Sequence, residues 1–349
     1  MSLESDDDGD PAAGRIADVE RASPAADTAG RTRVCSRRAV LGAALATTGV
    51  CAPVAGSITT AGSDATLQVI VSSGPTPLYA RLRDGLDAVR TDWTSIHEAA
   101  MAAVADALDQ IETYARETGR DWLDVAVDRG PSIGSPFATA SPLDTATSVE
   151  RVYDGFREVI GAGLDEPHCH LLCWWGPFDY RIGYGRTVPG DGRVGRGDHS
   201  AGLAIANVGA TEGWDGRAVT RNVAIHEVLH TSLSPADAAV VGDSRCDHDL
   251  GAVREPEPGI REISPMATTY AGGGSDDRGP VHLLADGLLG SNGGTRWAGR
   301  GCVNPAALRE RGPEAGNGPA DGDVTWRHST RLTAETMEAV CRYAERTLQ

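Results

Sequence analysis

The fold can be built outward from the stretch Val219-Thr220-Arg221-Asn222-Val223-Ala224-Ile225-His226-Glu227-Val228-Leu229-His230. The stretch belongs to a predicted helix from about Gly216 to Leu233, which Ser234-Pro235 would end. Side chains four residues apart in a helix lie on the same face. His226 and His230 can therefore offer two imidazoles to one metal ion.

The apolar residues around this pair predict which way the histidines face. Val219, Val223 and Leu233 continue the stripe of His226 and His230, so both imidazoles should face inward. Zinc suits imidazole ligands, and a catalytic zinc keeps one position open for water. Glu227 is displaced by about 100° around the helix and can reach such a water as a general base. The pattern predicts one Zn²⁺ per chain and hydrolysis by a metal-activated water.

A third metal ligand is needed, and His248 is the preferred candidate. It lies in Cys246-Asp247-His248-Asp249-Leu250-Gly251, after the helix, where the chain can fold back beneath the metal. Gly251 would permit a tight turn there. A carboxylate can also ligate zinc, so competing candidates remain. These are Asp237, Asp243, Asp247, Asp249 and Glu255.

Hydrophobic patterning predicts an α/β fold. Helices are expected at 149–163, at 216–233, at 331–348 and after a capping box of Ser95 and Glu98, and strands at 67–71, 122–127, 171–175, 180–184 and 201–208. This order predicts a mixed, mostly parallel twisted sheet with the active-site helix packed on it. The predicted domain, 57–349, has an upper α/β part at 57–233 and a smaller, irregular, loop-rich lower part at 234–349, closed by the last helix.

A methionine-containing segment follows the candidate ligands: Ser264-Pro265-Met266-Ala267-Thr268-Thr269-Tyr270. Together with the histidine helix, it resembles the metzincin clan of zinc peptidases, in which a turn with a methionine lies under the metal. The resemblance implies that Met266 forms a hydrophobic floor beneath the histidines and that Tyr270 lies near the metal. It also implies that the strand Ala201–Val208 is the edge strand that pairs with an extended substrate.

The sequence departs from the metzincin pattern after the second histidine. The family places a glycine three residues later and the third ligand three residues after that, where this chain has Leu233 and Ala236. A third ligand at His248 makes the connection much longer, so the resemblance is to a divergent member. Tyr270 also follows Met266 by four residues instead of the usual two. The thermolysin-like alternative would need Glu255 on a helix, which its flanking prolines disfavour.

The N-terminal region is typical of an export signal. Residues 1–33 are rich in Asp, Ala, Gly and Ser, and Ser36-Arg37-Arg38 precedes a small, apolar run from Gly42 to Gly56. This arrangement resembles a twin-arginine signal, so residues 1–56 are expected to be removed and the protein to be extracellular. The run is too short for a stable membrane span. Cys51 offers an alternative site for a lipid anchor.

Composition limits the partners. The chain of 349 residues contains no lysine and has a formal net charge of −17. This acid excess argues against nucleic acid and anionic membranes as partners, and it resembles the composition of proteins secreted by extreme halophiles. The expected partner is a peptide or protein substrate. Five cysteines follow the leader, an odd number, and neither their pairing nor the oligomeric state is set by the sequence.

Three functions are compatible with the pattern. The first is a zinc peptidase, the second a non-catalytic, zinc-stabilised binding or surface protein, and the third a hydrolase of a non-peptide amide. Glu227 favours the first over the second, because a structural zinc site needs no general base. The cluster from His168 to Cys173 is interpreted as structural, since its alternate residues point to opposite faces of a strand. The loop Gly272–Asp277 is interpreted as solvated rather than calcium-binding.

Overall fold

The computed structural model describes residues 65–133, 149–176, 185–187, 193–195, 200–270, 309–310 and 325–349. The predicted leader, Cys51, the segment 180–184 and the loop Gly272–Asp277 lie outside these residues. The elements in chain order are β1 (Ala65–Ser73), α1 (Leu78–Asp84), α2 (Leu86–Thr91), α3 (Ser95–Glu117), β2 (Leu123–Arg129), α4 (Val149–Ile160), β3 (Cys169–Trp174), β4 (Gly185–Thr187), β5 (Gly202–Asn207), α5 (Val208–Trp214), α6 (Arg217–Thr231), α7 (Pro235–Gly242), β6 (Ala252–Glu257), β7 (Ile260–Ile263), β8 (Arg309–Glu310), β9 (Thr325–His328) and α8 (Ala334–Thr347). Three 3₁₀ helices lie at Gly161–Asp165, Asp247–Leu250 and Pro265–Tyr270.

The main sheet contains five strands in the order β2-β1-β3-β5-β4. β1 runs parallel to β2 and β3, and β3 runs parallel to β5, whereas β4 is antiparallel to β5. The predicted α/β class with a mixed, mostly parallel sheet is therefore confirmed. Within the described residues, no helix combines the length and apolarity that a membrane span requires.

The sheet is buried on both faces by helices. Alternate residues of a strand point to opposite faces, so each inner strand serves two layers. In β5, Ala204 and Ala206 pack into the cluster that contains residues of α3 and α6. Leu203 and Ile205 pack instead with Val152 and other residues of α4. The near-continuous apolar sequence of β5 follows from this double burial.

Helix α6 packs directly against β5 and α3. The predicted stripe is buried except for His230, whose side chain is 17% exposed. Gly202 allows the close approach of α6, because a Cβ at Gly202 would lie 2.8 Å from Cβ of Thr231. Val219 and Val223 form a small cluster with Ala210 of α5. Packing on the sheet thus fixes the rotation of α6 about its axis, and this rotation turns its histidines inward.

The prediction that Ala201–Val208 forms the edge strand of the main sheet is wrong. β5, which corresponds to the predicted strand Ala201–Val208, lies between β3 and β4, and β4 is the outer strand in the described part of the sheet. β4 consists of only Gly185, Arg186 and Thr187, without apolar alternation, so its sequence carries no strand signal. A short antiparallel strand at this edge interrupts the otherwise parallel pairing.

The region after α6 is smaller, as expected, but it contains a second sheet that the sequence does not predict. Its strand order is β8-β6-β7-β9, with β6 and β7 antiparallel and connected through Gly259, which has a φ of 79°. Pro256 lies within β6 and lowers its strand signal. Val253, Ile263, Ala267 and Trp326 form the small core of this region.

The last helix belongs to the main core. α8 packs against α3 and α7, and Val340, Cys341 and Ala344 are buried with residues of the main sheet. Arg120, just after α3, pairs with Glu338 at 2.8 Å and with Glu345 at 2.7 Å. The C-terminal helix therefore packs into the same core as the strands and helices of the first half of the chain.

The start of α3 differs from the predicted capping box by one residue. The N-cap is Thr94 rather than Ser95, and the third helical residue is His97 rather than Glu98. The backbone N–H of Thr94 donates to Nδ1 of His97 at 3.0 Å. An imidazole thus performs the role that the sequence pattern normally assigns to Glu or Gln.

Candidate metal centre

The two histidines of α6 meet at their Nε2 atoms. Nε2 of His230 lies 3.0 Å from Nε2 of His226, one helical turn away. His248 completes the group, and the ligand atoms of the three residues all lie within 4.8 Å of one another. The structure therefore brings together the three histidines that the sequence pattern indicates as candidate ligands.

His248 reaches the cluster by a longer route than in the metzincin pattern. After α6 the chain forms α7, then the 3₁₀ helix Asp247–Leu250, which carries His248 back to α6. Gly251 follows with a φ of −74°, which any residue can adopt. The prediction that a glycine is needed here for a tight turn is therefore wrong. A Cβ there would lie 2.2 Å from the backbone N of Ala267. Gly251 is needed because two segments touch, not because the chain turns tightly.

Nδ1 of two histidines is fixed by a neighbouring acceptor. Nδ1 of His226 lies 2.8 Å from the carbonyl oxygen of Pro265, and Nδ1 of His230 lies 2.8 Å from Oδ2 of Asp247. Since both partners only accept, each Nδ1 carries the proton and donates. Whenever such a ring is neutral, its lone pair is at Nε2, and the Nε2 atoms of His226 and His230 face each other. Such acceptors are the usual supports of metal-binding histidines.

Asp247 supports two members of the cluster. Its Oδ1 lies 3.5 Å from Nδ1 of His248, while its Oδ2 accepts from His230. Burial raises the pKa of Asp247, but the adjacent His230 outweighs this effect and the net pKa is lowered. Asp247 is therefore a carboxylate at neutral pH. The sequence pattern indicates it only as a competing ligand, although its position next to His248 is a signal for this orienting role.

The pKa values of the three clustered histidines shift in different directions. Burial and the neighbouring imidazoles lower the pKa of His226, and burial together with His230 lowers the pKa of His248 to about 4. Burial also acts to lower the pKa of His230, but the carboxylate of Asp247 reverses the direction, and the net pKa is raised. His226 and His248 are thus neutral donors at pH 7.

Glu227 lies against the edge strand of the main sheet. The hydroxyl of Thr187 lies 2.9 Å from Oε2 of Glu227 and 3.1 Å from its backbone carbonyl oxygen. A Cβ at Gly185 would lie 2.5 Å from Oε1 of Glu227, so only glycine leaves room for this side chain. Burial raises the pKa of Glu227 to about 7, against the opposing effects of His230 and Thr187. Neither Thr187 nor Gly185 has a signal in the sequence, since contacts across the sheet edge depend on the fold.

The methionine segment lies directly under α6. Met266 is buried in the main core, and Pro265 before it supplies the carbonyl that accepts from His226. Tyr270 ends the 3₁₀ helix, and its side chain lies outside the described residues. The segment is held to α6 by Asn222, one turn before His226. The hydroxyl of Thr268 donates to Oδ1 of Asn222, whose Nδ2 donates to the carbonyl of Ser329 at 2.7 Å.

The other candidate carboxylates have different partners. Asp237 accepts from Ser234 and pairs with Arg346. Asp249 accepts from Ser244 at 2.6 Å, and Glu255 accepts from the backbone of Gly259 at 3.4 Å. Asp243 is the left-handed residue that follows α7. Within the described residues, Asp247 is the one carboxylate that shares a potential metal-binding group with His248.

The cysteines do not extend the cluster. Cys246 lies next to Asp247, but it is disulfide-bonded, so it has no thiolate to offer. Cys169 and Cys173 are free and buried in β3, and burial raises the pKa of both thiols to about 12. His168 pairs with Glu166 at 3.1 Å, and His170 contacts the carbonyl of Gly163. No metal-binding group among the described residues includes this segment, consistent with its structural interpretation.

The donor set fits a metal ion. With both Nδ1 atoms donating, the Nε2 atoms of His226 and His230 face each other at 3.0 Å, so two neutral rings would oppose their lone pairs there unless a proton or a metal cation lies between them. A cation between them removes this repulsion. The fold and the site together define an α/β protein with a group of three histidines, one buried and two partly exposed, that can hold a metal ion.

Comparisons with known proteins add little to this description. No protein-family model matches the sequence, and no curated protein matches it either. Among solved structures, a match is found to metalloproteinase-II from Bacteroides fragilis, with 13% identity and a TM-score of 0.29. The match covers 50% of this chain and 44% of that chain, so it spans less than half of the other protein. A similarity of this size carries no argument about function.

Proposed function

We propose that this protein is a zinc-dependent peptidase and a divergent relative of the metzincins. The observation that carries the proposal is the convergence of three imidazoles on one point, with the buried carboxylate of Glu227 on the adjacent helical position. A purely structural site requires ligands but has no use for Glu227. The proposed substrate is a peptide or protein.

His226, His230 and His248 would hold the metal. Imidazole ligands suit zinc, and three protein ligands are typical of a catalytic site, whereas structural sites use four. When bound, Zn²⁺ supplies the Lewis acidity that lowers the pKa of a water molecule and polarises a carbonyl group. The carbonyl of Pro265 and the carboxylate of Asp247 keep two of the imidazoles oriented for this role.

Glu227 acts as the general base. Its carboxylate takes a proton from water and later gives it to the amine of the departing peptide. Burial raises the pKa of Glu227 to about 7, which suits a group that must accept and release a proton near neutral pH. His226 and His248 remain neutral and take no part in this proton transfer.

The extended substrate is proposed to lie along β4, the outer strand in the described part of the sheet. An exposed edge can pair with an extended peptide through backbone hydrogen bonds. The hydroxyl of Tyr153 donates to the carbonyl of Arg186 at 2.6 Å and fixes β4 from the side of α4. Gly185 and Thr187 touch Glu227 from the same strand, so a peptide on β4 would lie beside the base.

Export and the methionine segment are also part of this proposal. Residues 1–56 are a twin-arginine leader, and 57–349 are the secreted domain, whose mass would reveal the cleavage site. Met266 is the hydrophobic floor beneath the histidines, and Tyr270 is close to the metal. The metzincin pattern is altered between His230 and His248, where α7 occupies the longer connection.

The test compares wild type, Glu227→Gln and Glu158→Gln, which removes an exposed carboxylate on α4. Each is assayed at high salt against a peptide library, and its zinc is measured by elemental analysis. Wild type and Glu158→Gln should contain about one zinc and lose cleavage with a chelator. Glu227→Gln should retain zinc but cleave about 100- to 10,000-fold more slowly, the usual contribution of a general base.

Three results would decide against the proposal. Cleavage unchanged in Glu227→Gln would reject Glu227 as the base. Full zinc with no cleavage of any peptide by wild type would favour the second function, a zinc-stabilised binding or surface protein. Cleavage of a non-peptide amide, without cleavage of any peptide, would favour the third function, a hydrolase of such amides.

A further inference from the structure

Thr187 contacts the proposed base from the edge strand. Its hydroxyl lies 2.9 Å from Oε2 of Glu227, whose side chain is only 4% exposed. Oε1 accepts no hydrogen bond from the described residues. The two carboxylate oxygens therefore have different surroundings: Oε2 is held by a hydroxyl, and Oε1 lies against Gly185 without a hydrogen-bond donor from the described residues.

Thr187 is itself held in place. β4 pairs with β5 at Ala204, and the hydroxyl of Tyr153 bonds to the backbone of Arg186. Residues two apart in a strand share a face, so Gly185 and Thr187 both face α6. Gly185 leaves space for the carboxylate, and Thr187 holds one of its oxygens. The same three-residue strand that would receive the peptide thus orients the base.

We propose that Thr187 is a positioning residue for Glu227. Its hydroxyl holds Oε2 so that Oε1 is aimed at the water molecule from which the proton is taken. A glutamate has three rotatable bonds, and a small displacement of a reacting group can slow a reaction about 100-fold. This inference rests on the proposed peptidase function.

Two substitutions separate the hydroxyl from the methyl group of Thr187. Thr187→Val keeps the branched shape and loses the hydroxyl, whereas Thr187→Ser keeps the hydroxyl and loses the methyl. Thr187→Val should lower kcat about 10- to 100-fold, with KM and zinc content unchanged. Ser should remain within about threefold of wild type, because the hydrogen bond persists.

A readout without metal tests the contact itself. The urea midpoints of metal-free wild type, Thr187→Val, Glu227→Gln and the double variant form a thermodynamic cycle. If the hydroxyl holds the carboxylate, the midpoint shifts are not additive, since each substitution alone breaks the same contact. This measurement does not require the protein to cleave a peptide.

The outcomes are distinguishable from those of the proposed function. Normal kcat in Thr187→Val, or equal losses in Val and Ser, would overturn the positioning role, and additive midpoints would show that the two side chains are uncoupled. A wild type that holds zinc and cleaves nothing would reject the peptidase proposal. The cycle would then still decide whether Thr187 holds Glu227.

Discussion

Histidines with little exposed surface occur in two kinds of place in this protein. His97 lies at the start of α3, and His170 lies on β3, each bonded to the backbone. His226, His230 and His248 lie together between α6 and the 3₁₀ helix that follows α7. His226 is as buried as His97 and His170, whereas the side chains of His230 and His248 are 17% and 13% exposed.

A lowered pKa does not by itself distinguish the two groups of histidines. Burial lowers the pKa of His97 and of His170 to about 4, and it lowers the pKa of His248 to the same value. The difference lies in the ring nitrogens. In the cluster, the Nδ1 atoms of His226 and His230 bond to acceptors, and their Nε2 atoms converge. Convergence of lone pairs, rather than burial, is what marks a metal site.

The strongest test of this contrast compares His248→Ala with His170→Ala. Removal of His248 should weaken zinc binding by more than about 100-fold, beyond the usual effect of losing an outer partner. Removal of His170 should leave about one zinc per chain and lower the free energy of unfolding by about 1–3 kcal/mol. Elemental analysis and competition with a chelator give the first result, and urea unfolding gives the second.

If His248→Ala still binds about one zinc per chain, the contrast between clustered and isolated histidines is wrong, and another residue must be the third ligand. Asp247 is then the first carboxylate to test, because it lies beside two of the histidines. Loss of zinc in His170→Ala would show that the isolated histidines matter to the site as well.

A smaller effect is expected from the outer partner. Asp247→Asn keeps the shape of the side chain but removes the charge that orients His230 and His248. Zinc affinity should fall about 10- to 100-fold. The matched control is Asp249→Asn, a buried carboxylate of the same 3₁₀ helix that accepts from Ser244. Equal affinities for the two variants, measured by chelator competition, would mean that Asp247 does not support the cluster.

Much of the fold is predictable from the sequence because the core elements follow local patterns. The alternation of Leu67, Val69 and Val71 specifies β1, and the stripe of α6 specifies which way His226 and His230 face. Spacing within one helix is local information, so the pairing of these two histidines follows from the sequence alone. His248 is less strictly specified, since its position depends on how the chain returns after α7.

The features that sequence patterns miss depend on contacts between distant segments. β4 has three residues and no apolar pattern, so neither the edge strand nor Thr187 is predictable. The capping role of His97 is missed because imidazole is uncommon in that position. The second sheet is missed because Pro256 suggests a loop. In each case tertiary pairing decides the structure against a weak or contrary local signal.

Gly251 shows how such a distant contact can reach the metal centre, and it leads to the smallest expected effect. In Gly251→Ala the added Cβ would lie 2.2 Å from the backbone N of Ala267, so the methionine segment must move. Overpacking of this kind costs about 1–3 kcal/mol of folding stability. The carbonyl of Pro265 should shift with the segment, and zinc affinity should fall by less than about tenfold.

The matched control is Gly119→Ala, at a glycine with a φ of 83° and no atom within 4 Å of the added Cβ. Its cost of about 1–2 kcal/mol comes from the left-handed backbone alone. Both variants should therefore unfold at lower urea concentration, but only Gly251→Ala should also bind zinc more weakly. If the two proteins bind zinc equally well, the methionine segment supports the fold without orienting His226, and the cluster depends on α6 and Asp247 alone.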